Sequence, residues 1–320
     1  MTHRSYSALL VLSAALAACN GQVLDVGSTG QPLVQGNGGG GPVPIATLTR
    51  VPVTMTSDGQ NLYWTDDTTA VVEMPVQGGT TTTVVSPCSL QFLAVDSTNV
   101  YFIRALQLNE VPKKATTELV ISDGSGSVTA AAVRSGQAFW AETPNQHPML
   151  VAVKSVSVTD RVTSPVAEFP NETMHPPFQM GVTSHTVFLA TARGPLTAFS
   201  LNGGPPDGGS PQTLGSSPCG ILLSDGGAAY CIPPGGPVTR TGDDGMTIVL
   251  TTVTSGTAAA LDETYLYFGD NPASGGMVLK VPKLGGTPTV IAREEATALA
   301  VDDTAIYWAT PKGSIRRLLK

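Results

Sequence analysis

The sequence predicts an all-β fold, and three observations support this. Charged residues make up only 13% of the 320 residues, whereas Gly and Pro, which favour tight turns, occur 35 and 25 times. Short apolar runs, each followed by a turn and a pair of apolar, mostly aromatic residues, recur seven times. The repeats are about 40 residues apart, and that period with short strands inside each unit is typical of a β-propeller.

The repeats are best preserved near the two ends of the chain, over residues 56–64 and 300–308. In each of these an Asp opens the turn, and the first aromatic residue follows five positions later. The seven anchors of the repeat are Tyr63, Tyr101, Phe139, Phe188, Tyr230, Tyr267 and Tyr307. Their separations of 38, 38, 49, 42, 37 and 40 residues predict seven four-stranded blades, with six or eight as the alternatives.

The sixth unit shows how one repeat divides into strands. Its apolar runs predict four strands, over residues 258–261, 265–269, 277–282 and 288–292. Pro282 cannot donate a hydrogen bond to a ladder, so it belongs at the end of the third strand. The Gly pair at 285 and 286 permits the positive φ that a tight turn to the outer strand requires.

The end of the chain predicts how the ring closes. The seventh unit supplies three strands, and the sequence ends at Lys320, directly after a third strand predicted over residues 314–319. The missing fourth strand is predicted at residues 45–49, before the first unit. This N-terminal strand would pair the edge of the last blade, which a propeller otherwise leaves open.

The repeated Asp residues and the apolar pairs are both predicted to be structural. Each Asp is expected to accept hydrogen bonds in its own turn, as an Asx-turn worth about 1 kcal/mol. Five carboxylates on five blades cannot all meet one substrate. Neighbouring side chains on a strand point to opposite faces, so the two members of each pair should pack against opposite blades. The Asp residues are Asp58, Asp96, Asp225, Asp262 and Asp302.

The N-terminus predicts a targeting segment over residues 1–18. Arg4 is followed by an apolar stretch too short to cross a bilayer. The stretch ends in Leu16-Ala17-Ala18-Cys19, which resembles the lipobox of bacterial lipoproteins. The resemblance implies a lipidated Cys19 and a place in the bacterial cell envelope, at the outer membrane or its periplasmic face. The alternative is a plain secretory peptide with Cys19 as an ordinary thiol.

Residues 19–44 are predicted to be a flexible Gly-rich tether, and residues 45–320 the propeller domain. The glycines at 38–41 are followed by Pro, not by the Lys-Ser/Thr pair that a phosphate-binding loop needs. A Gly-rich chain of this length has a root-mean-square reach of about 25–30 Å. Such a segment would hold a folded domain just clear of a membrane surface.

The first repeat resembles a known family. Leu62-Tyr63-Trp64-Thr65-Asp66 is similar to the YWTD propeller repeats of lipoprotein-receptor ectodomains. The pattern Val-Asp-x-x-x-Val-Tyr-Trp with a later Val-Pro-x-x-Gly-Gly-Thr is also similar to repeats in secreted lipoproteins of myxobacteria. The resemblance covers roughly residues 45–320, and it implies a propeller without implying a function. The receptor family has six repeats, whereas seven are counted here.

Candidate functional residues are few. The longest interval between anchors, from 139 to 188, contains the weak loop-site candidates His147, Glu172 and His175; the alternative is a tolerated insertion. No metal-ligand spacing and no nucleophile elbow occurs, so neither a cofactor nor a metal is predicted. Cys219 and Cys231 flank one predicted hairpin and form the best candidate disulfide, with Cys88 as the remaining cysteine.

These observations predict a binding or scaffold module rather than an enzyme. The net charge is −7 and no basic stripe is present, so nucleic acid is not an expected partner. The expected partner is a protein, peptide or glycan, with the membrane reached through the lipid on Cys19. The alternative is a periplasmic or surface hydrolase or lyase with its site at the mouth of the central tunnel. That alternative requires inward-facing Glu, Asp, His or Asn side chains that converge there.

Overall fold

The computed structural model describes residues 40–66, 70–85, 90–115, 117–170, 177–191, 194–201, 211–214, 218–273 and 275–320. Within these ranges, 28 strands form seven four-stranded antiparallel sheets, arranged as a seven-bladed β-propeller, and there is no helix. The predicted fold class and blade number are confirmed, and the alternatives of six and eight blades are wrong.

Each blade consists of four strands in chain order from the axis to the rim, except that blade 7 takes its outer strand from the N-terminus. Blade 1 contains β2 (Pro52–Ser57), β3 (Asn61–Asp66), β4 (Ala70–Pro75) and β5 (Thr82–Val85). Blade 2 contains β6 (Leu90–Val95), β7 (Asn99–Arg104), β8 (Gln107–Pro112) and β9 (Leu119–Val120). Blade 3 contains β10 (Gly126–Arg134), β11 (Gln137–Pro144), β12 (Leu150–Ser157) and β13 (Thr163–Pro170).

Blade 4 contains β14 (Pro177–Val182), β15 (Thr186–Thr191), β16 (Leu196–Ser200) and β17 (Gln212–Leu214), and blade 5 contains β18 (Ile221–Ser224), β19 (Ala228–Ile232), β20 (Gly236–Gly242) and β21 (Thr247–Val253). Blade 6 contains β22 (Gly256–Leu261), β23 (Tyr265–Asp270), β24 (Met277–Pro282) and β25 (Thr289–Ala292). Blade 7 contains β26 (Ala298–Val301), β27 (Ala305–Ala309), β28 (Ser314–Leu319) and β1 (Val43–Thr47). The four strands predicted for the sixth unit match β22 to β25 to within two residues at each end. The first strand of each blade lies next to the first strand of the following blade, so these seven strands surround the axis.

Strand β1 closes the ring. It runs antiparallel to β28, with Val43 opposite Arg317 and Thr47 opposite Ser314. The closing strand is therefore confirmed, although it begins and ends two residues earlier than predicted. Leu48 still donates its backbone N–H to the Gly313 carbonyl at 2.7 Å before the chain bends towards blade 1.

The hydrophobic core is divided into seven clusters, one between each pair of neighbouring blades. Tyr63 packs towards blade 2, beside Phe102, whereas Trp64 packs towards blade 7, beside Tyr307. The same division holds in every blade: the first member of each pair faces the following blade, and the second faces the preceding one. The prediction that the pairs form the core between blades is confirmed.

Removal of the closing strand should open the ring. We expect deletion of residues 20–49 to unfold or aggregate the protein, because it removes β1 and exposes the whole edge of β28. The matched deletion of residues 20–40 retains β1 and should leave the melting temperature nearly unchanged. Thermal unfolding followed by circular dichroism compares the two, and equal melting temperatures would contradict closure by β1.

The interface aromatics should dominate stability. Trp308 is fully buried, and we expect Trp308→Ala to lower the free energy of unfolding by about 3–5 kcal/mol, as large-to-small core substitutions do. Leu284 is 83% exposed, so Leu284→Ala is the control and should change little. Denaturant titration measures both variants. A cost for Trp308→Ala no greater than that of the control would show that the aromatic pairs are not core.

Candidate functional site

The wall of the central tunnel carries almost no titratable group. The seven innermost strands, all within the described part of the chain, contain no Asp, Glu, His or Asn, and Arg134 is their one charged residue. Side chains of these strands are mainly Ala, Val, Leu and Thr. A hydrolase or lyase site at the tunnel mouth would therefore have to be built from loops rather than from the tunnel wall.

A cavity of about 730 Å³ lies at blade 3, away from the axis. It is bounded by the connection between blades 2 and 3 at Gly124 and Ser125, by the β11–β12 loop, and by the outer half of blade 3. Its apolar lining residues are Pro144, Ala152, Val153, Pro165, Val166 and Ala167. The cavity is the candidate binding site.

The β11–β12 loop supplies the polar rim of the cavity. Asn145, Gln146 and His147 all line it, and all three are exposed. A tight turn holds this loop: the His147 N–H donates to the Pro144 carbonyl at 3.1 Å, and the Leu150 N–H donates to the His147 carbonyl at 3.0 Å. The other two loop candidates, Glu172 and His175, lie outside the described residues, as do Cys19 and Cys88.

The floor of the cavity contains a hydrogen-bonded cluster centred on Glu142, which is 1% exposed. Its carboxylate accepts hydrogen bonds from Trp140 Nε1 at 2.7 Å and from Ser125 Oγ at 2.5 Å, and it pairs with Lys154 Nζ at 2.9 Å. Lys154 also pairs with Asp123 at 2.7 Å and donates to Ser125 Oγ. Each donor hydrogen of the ammonium thus has an acceptor.

The electrostatics of this cluster keep Lys154 charged. Burial lowers the pKa of Lys154, but the hydrogen bonds and charges of Asp123 and Glu142 raise it by more, so its pKa lies above the usual range. Burial likewise raises the pKa of Asp123, and the hydrogen bonds from Lys154 and Ser125 lower it by more. A lysine must be neutral to take a proton from a serine hydroxyl. The ion pairs therefore orient Ser125, and Lys154, which stays charged, does not take its proton.

Sequence analysis missed this cluster, although one signal for it exists. Glu142 stands two residues after the second member of its aromatic pair, the position that Asp270 occupies in blade 6. Asp270 accepts from the N–H groups of Thr254 and Ser255, at 3.0 and 2.7 Å, in the connection between blades 5 and 6. A carboxylate at this position therefore holds the connection between blades. In blade 3, Lys154 adds a charge that the repeat pattern does not indicate.

The repeated Asp residues form a second polar feature, on the opposite side of the disc. Oδ1 of each accepts from the backbone N–H groups two and three residues later, at 2.7–3.0 Å, which confirms the predicted Asx-turns. Oδ2 of each accepts from the Tyr hydroxyl five residues later, also at 2.7–3.0 Å. Burial and then the hydrogen bond to Asp302 raise the pKa of Tyr307 to about 12.

Three of these carboxylates also bind a lysine of the following blade, which the sequence-based interpretation did not include. The Nζ–Oδ2 distances are 2.5 Å for Lys113–Asp58, 2.7 Å for Lys283–Asp225 and 2.7 Å for Lys320–Asp262. Each ammonium also lies over the ring of the Tyr that donates to the same carboxylate, 5.2 to 5.8 Å from the ring centroid. We call each such group of Asp, Tyr and Lys a lysine clasp. The Asp residues therefore stabilise the contact between blades as well as their own turns.

Cys219 and Cys231 are joined by a disulfide in the structure, with their Cα atoms 5.4 Å apart. Cys219 precedes β18, and Cys231 lies on β19. Both side chains belong to the cluster between blades 4 and 5, where Cys231 takes the place of the second aromatic residue.

In the described ranges, no group of three or more His, Cys, Asp or Glu residues is arranged to hold a metal ion. No helix in these ranges has the length and apolar character needed to span a membrane.

Comparisons with known proteins support the fold alone. No protein-family model matches the sequence, and no curated protein matches it. Solved structures do match its fold. The computationally designed Ika8 protein aligns with a TM-score of 0.59 and 10% identity over 87% of this chain and 98% of its own. Raptor from Chaetomium thermophilum aligns with a TM-score of 0.63 and 11% identity, over 88% of this chain and 29% of its own.

A third solved structure is the extracellular domain of a B. thetaiotaomicron protein described as a one-component system. It aligns with a TM-score of 0.59 and 10% identity over 87% of this chain and 39% of that chain. At such identities the likeness defines the class, a β-propeller, and does not carry an activity from these proteins to this one.

The contribution of a lysine clasp to stability should be measurable by comparing substitutions of Asp262, which has a lysine partner, and Asp96. Asp96 makes the same turn and Tyr101 contacts as its counterparts, but the described residues provide it with no lysine partner. We expect Asp262→Ala to lower the free energy of unfolding by about 2–3 kcal/mol, since hydrogen bonds to charged groups are lost with the turn. Asp96→Ala is the matched control and should cost about 1 kcal/mol less. Equal costs in denaturant titrations would show that Lys320 contributes nothing.

The Asp262–Lys320 pair predicts that the stability of the protein depends on pH. Burial raises the pKa of Asp262, but the hydrogen bonds from Lys320, Tyr267 and two backbone N–H groups lower it to about 2. The unfolded pKa is about 3.9, so the stability that the carboxylate provides is complete above that pH and is lost as the pH falls through about 2. The difference between wild type and Asp262→Ala should shrink over this interval. A difference that stays constant from pH 5 to pH 2 would contradict the assignment.

Proposed function

We propose that this protein is a lipid-anchored β-propeller of the bacterial cell envelope that binds or scaffolds a partner, and that it belongs with the secreted lipoproteins its repeats resemble. The observation that carries the binding proposal is the cavity at blade 3, which has an exposed polar rim, a floor where Glu142 and Lys154 are paired, and the exposed carboxylate of Glu168 in its lining. Such a cavity is suited to hold a ligand in a fixed orientation.

The chemistry of the cavity favours a peptide segment over a glycan. The side-chain amides of Asn145 and Gln146 each provide donors and an acceptor, which is what the backbone of an extended peptide requires. Apolar residues, with Pro144 and Pro165 among them, provide contact for its side chains. Among the described lining residues there is no Trp, Tyr or Phe ring on which a sugar could stack.

The rival function is hydrolysis at the same cavity, because Ser125 and Lys154 lie within hydrogen-bond distance of each other. The charge on Lys154 weighs against it. To accept the Ser125 proton, Lys154 would first have to lose one of its own, which would leave the carboxylates of Asp123 and Glu142 facing a neutral amine. The arrangement therefore supports binding in preference to nucleophilic catalysis.

The anchor proposal depends on Leu16-Ala17-Ala18-Cys19 and on where the folded domain begins. Strand β1 is the outermost strand of blade 7, so the preceding chain leaves the propeller at its rim. A disc attached at its rim can present both of its flat sides to partners. The cavity would therefore stay accessible beside a membrane surface.

Photo-crosslinking in intact cells tests the binding proposal. A photoreactive amino acid in place of Gln146 should capture a specific peptide or protein adduct. The matched control is the same substitution at Lys312, which is exposed in the equivalent loop of blade 7. Adducts identified by mass spectrometry that are the same at both positions, or absent at 146, would contradict a partner at the cavity.

The anchor is tested separately. We expect the mature protein to begin at a lipidated Cys19 and to fractionate with membranes, and we expect Cys19→Ala to give an unprocessed or freely soluble species. Intact-mass spectrometry and membrane fractionation measure both properties. A soluble wild-type protein whose first residue is not Cys19 would refute the lipid anchor.

A further inference from the structure

We propose that the outer strand of blade 5, β21 (Thr247–Val253), pairs edge to edge with the same strand of a second copy of this chain. The pairing would join two four-stranded blades into one continuous antiparallel sheet and make the protein a dimer. This inference is independent of the cavity and of the proposed binding function.

The outer strands of the other six blades are protected against such pairing. β5, β9, β17 and β25 are only two to four residues long, and short edge strands offer few free backbone groups. β1 contains Pro44, and β13 contains Pro165 and Pro170. Proline cannot donate a hydrogen bond to an incoming strand. These are the devices by which sheet proteins prevent association through their edges.

β21 has none of these devices. It is seven residues long and contains neither proline nor a charged residue, with the sequence TIVLTTV. The pairing of β20 with β21 shifts register between Val238 and Thr239, which leaves Leu250 of β21 as a bulge. A bulge is also an edge-protecting device, but the same kind of shift occurs in the outer pairs of blades 1, 3 and 6, so it does not distinguish blade 5. Blade 5 therefore presents the long, uncharged edge that the other blades avoid.

The side chains of β21 are also apolar and exposed. Ile248 is 38% exposed and Val249 is 61% exposed, and as neighbours on a strand they point to opposite faces of the sheet. Met246, just before the strand, is 66% exposed. An added strand would therefore cover apolar surface on both faces of the blade as well as satisfying backbone groups along its edge.

A second copy is the occupant that fits this edge. No charge lies between residues 246 and 254, so the strand meets itself without like-charge repulsion, and its Ile, Val and Thr side chains form favourable cross-strand pairs. Two strands related by a two-fold axis run antiparallel, as an isologous contact requires. Because each chain presents one such edge, the association stops at two copies and does not grow into a fibre.

Sedimentation velocity of the full chain, in density-matched detergent, tests the proposal. We expect a wild-type dimer, and we expect Val249→Lys to weaken dimerisation by about tenfold or more, since each edge then carries a charge that meets its own kind. The matched control is Val290→Lys, which places the same charge at a 39% exposed position of the short strand β25. It should dimerise as wild type does.

A charge-reversal experiment separates loss of pairing from loss of folding. Val249→Lys and Val249→Glu should each be monomeric and keep the circular dichroism spectrum of the folded wild type, and an equimolar mixture should recover dimers. A wild-type monomer at tens of micromolar, including one that captures a foreign strand at this edge, would overturn self-pairing. So would a dimer that survives Val249→Lys, because association would then run through the lipid or another surface.

Discussion

The structure depends on one constraint: a four-stranded blade has two apolar faces and cannot bury either of them alone. The second strand of each blade meets this constraint with adjacent residues that point to opposite sides. Tyr267 contacts blade 7, and Phe268 contacts blade 5. Because each pair joins three blades, the seven pairs link the ring into one cooperative body. The three tryptophans all occupy the second position of a pair, facing the preceding blade, and all three are buried.

Polar contacts between blades repeat with more variety than the core. At four interfaces a cation of the following blade meets a carboxylate of the preceding one, and at the other three the partners differ. Blades 3 and 4 have Phe where the others have Tyr, and they lack the Asp as well, so the hydroxyl and the carboxylate are either both present in a blade or both absent. The contacts in ring order from blades 1 and 2 are Asp58–Lys113, Glu110–Arg161, Arg134–Ser184, Thr183–Asp243, Asp225–Lys283, Asp262–Lys320 and Gln77–Arg317.

The architecture could be predicted from sequence because its determinants are local and repeated. The turn, the aromatic pair and the Gly-Gly after the third strand lie within one unit, so the spacing of Tyr63 and its counterparts was enough to count blades. The closing strand was also predicted by counting, because the seventh unit supplies only three of its four strands. The lysine clasp was not predicted, because Lys113 and Asp58 are 55 residues apart and their proximity depends on how blades pack.

The candidate site could be predicted only in part, for a similar reason. Extra chain length marked the loop with His147, and the loop does line the cavity. The paired charges beneath it come from three separate elements: Asp123 and Ser125 before β10, Glu142 on β11, and Lys154 on β12. None of these residues forms a motif with its sequence neighbours. Only the folded blade brings them within hydrogen-bond distance, and only their geometry shows that Lys154 remains charged.

The way in which β1 completes blade 7 also sets an order of assembly. Six of the seven interfaces join blades that are adjacent in the chain, so each can form once its two units have emerged. The remaining one joins blades 7 and 1, where Trp64 meets Tyr307, and blade 7 itself is completed by the pairing of Val43 with Arg317 across 274 residues of sequence. Contacts between such distant residues require closure of the longest loop and form slowly. Until then Trp64 and Tyr307 face solvent, on the two open ends of an incomplete ring. The rate of closure therefore sets how long this chain exposes the apolar faces of blades 1 and 7.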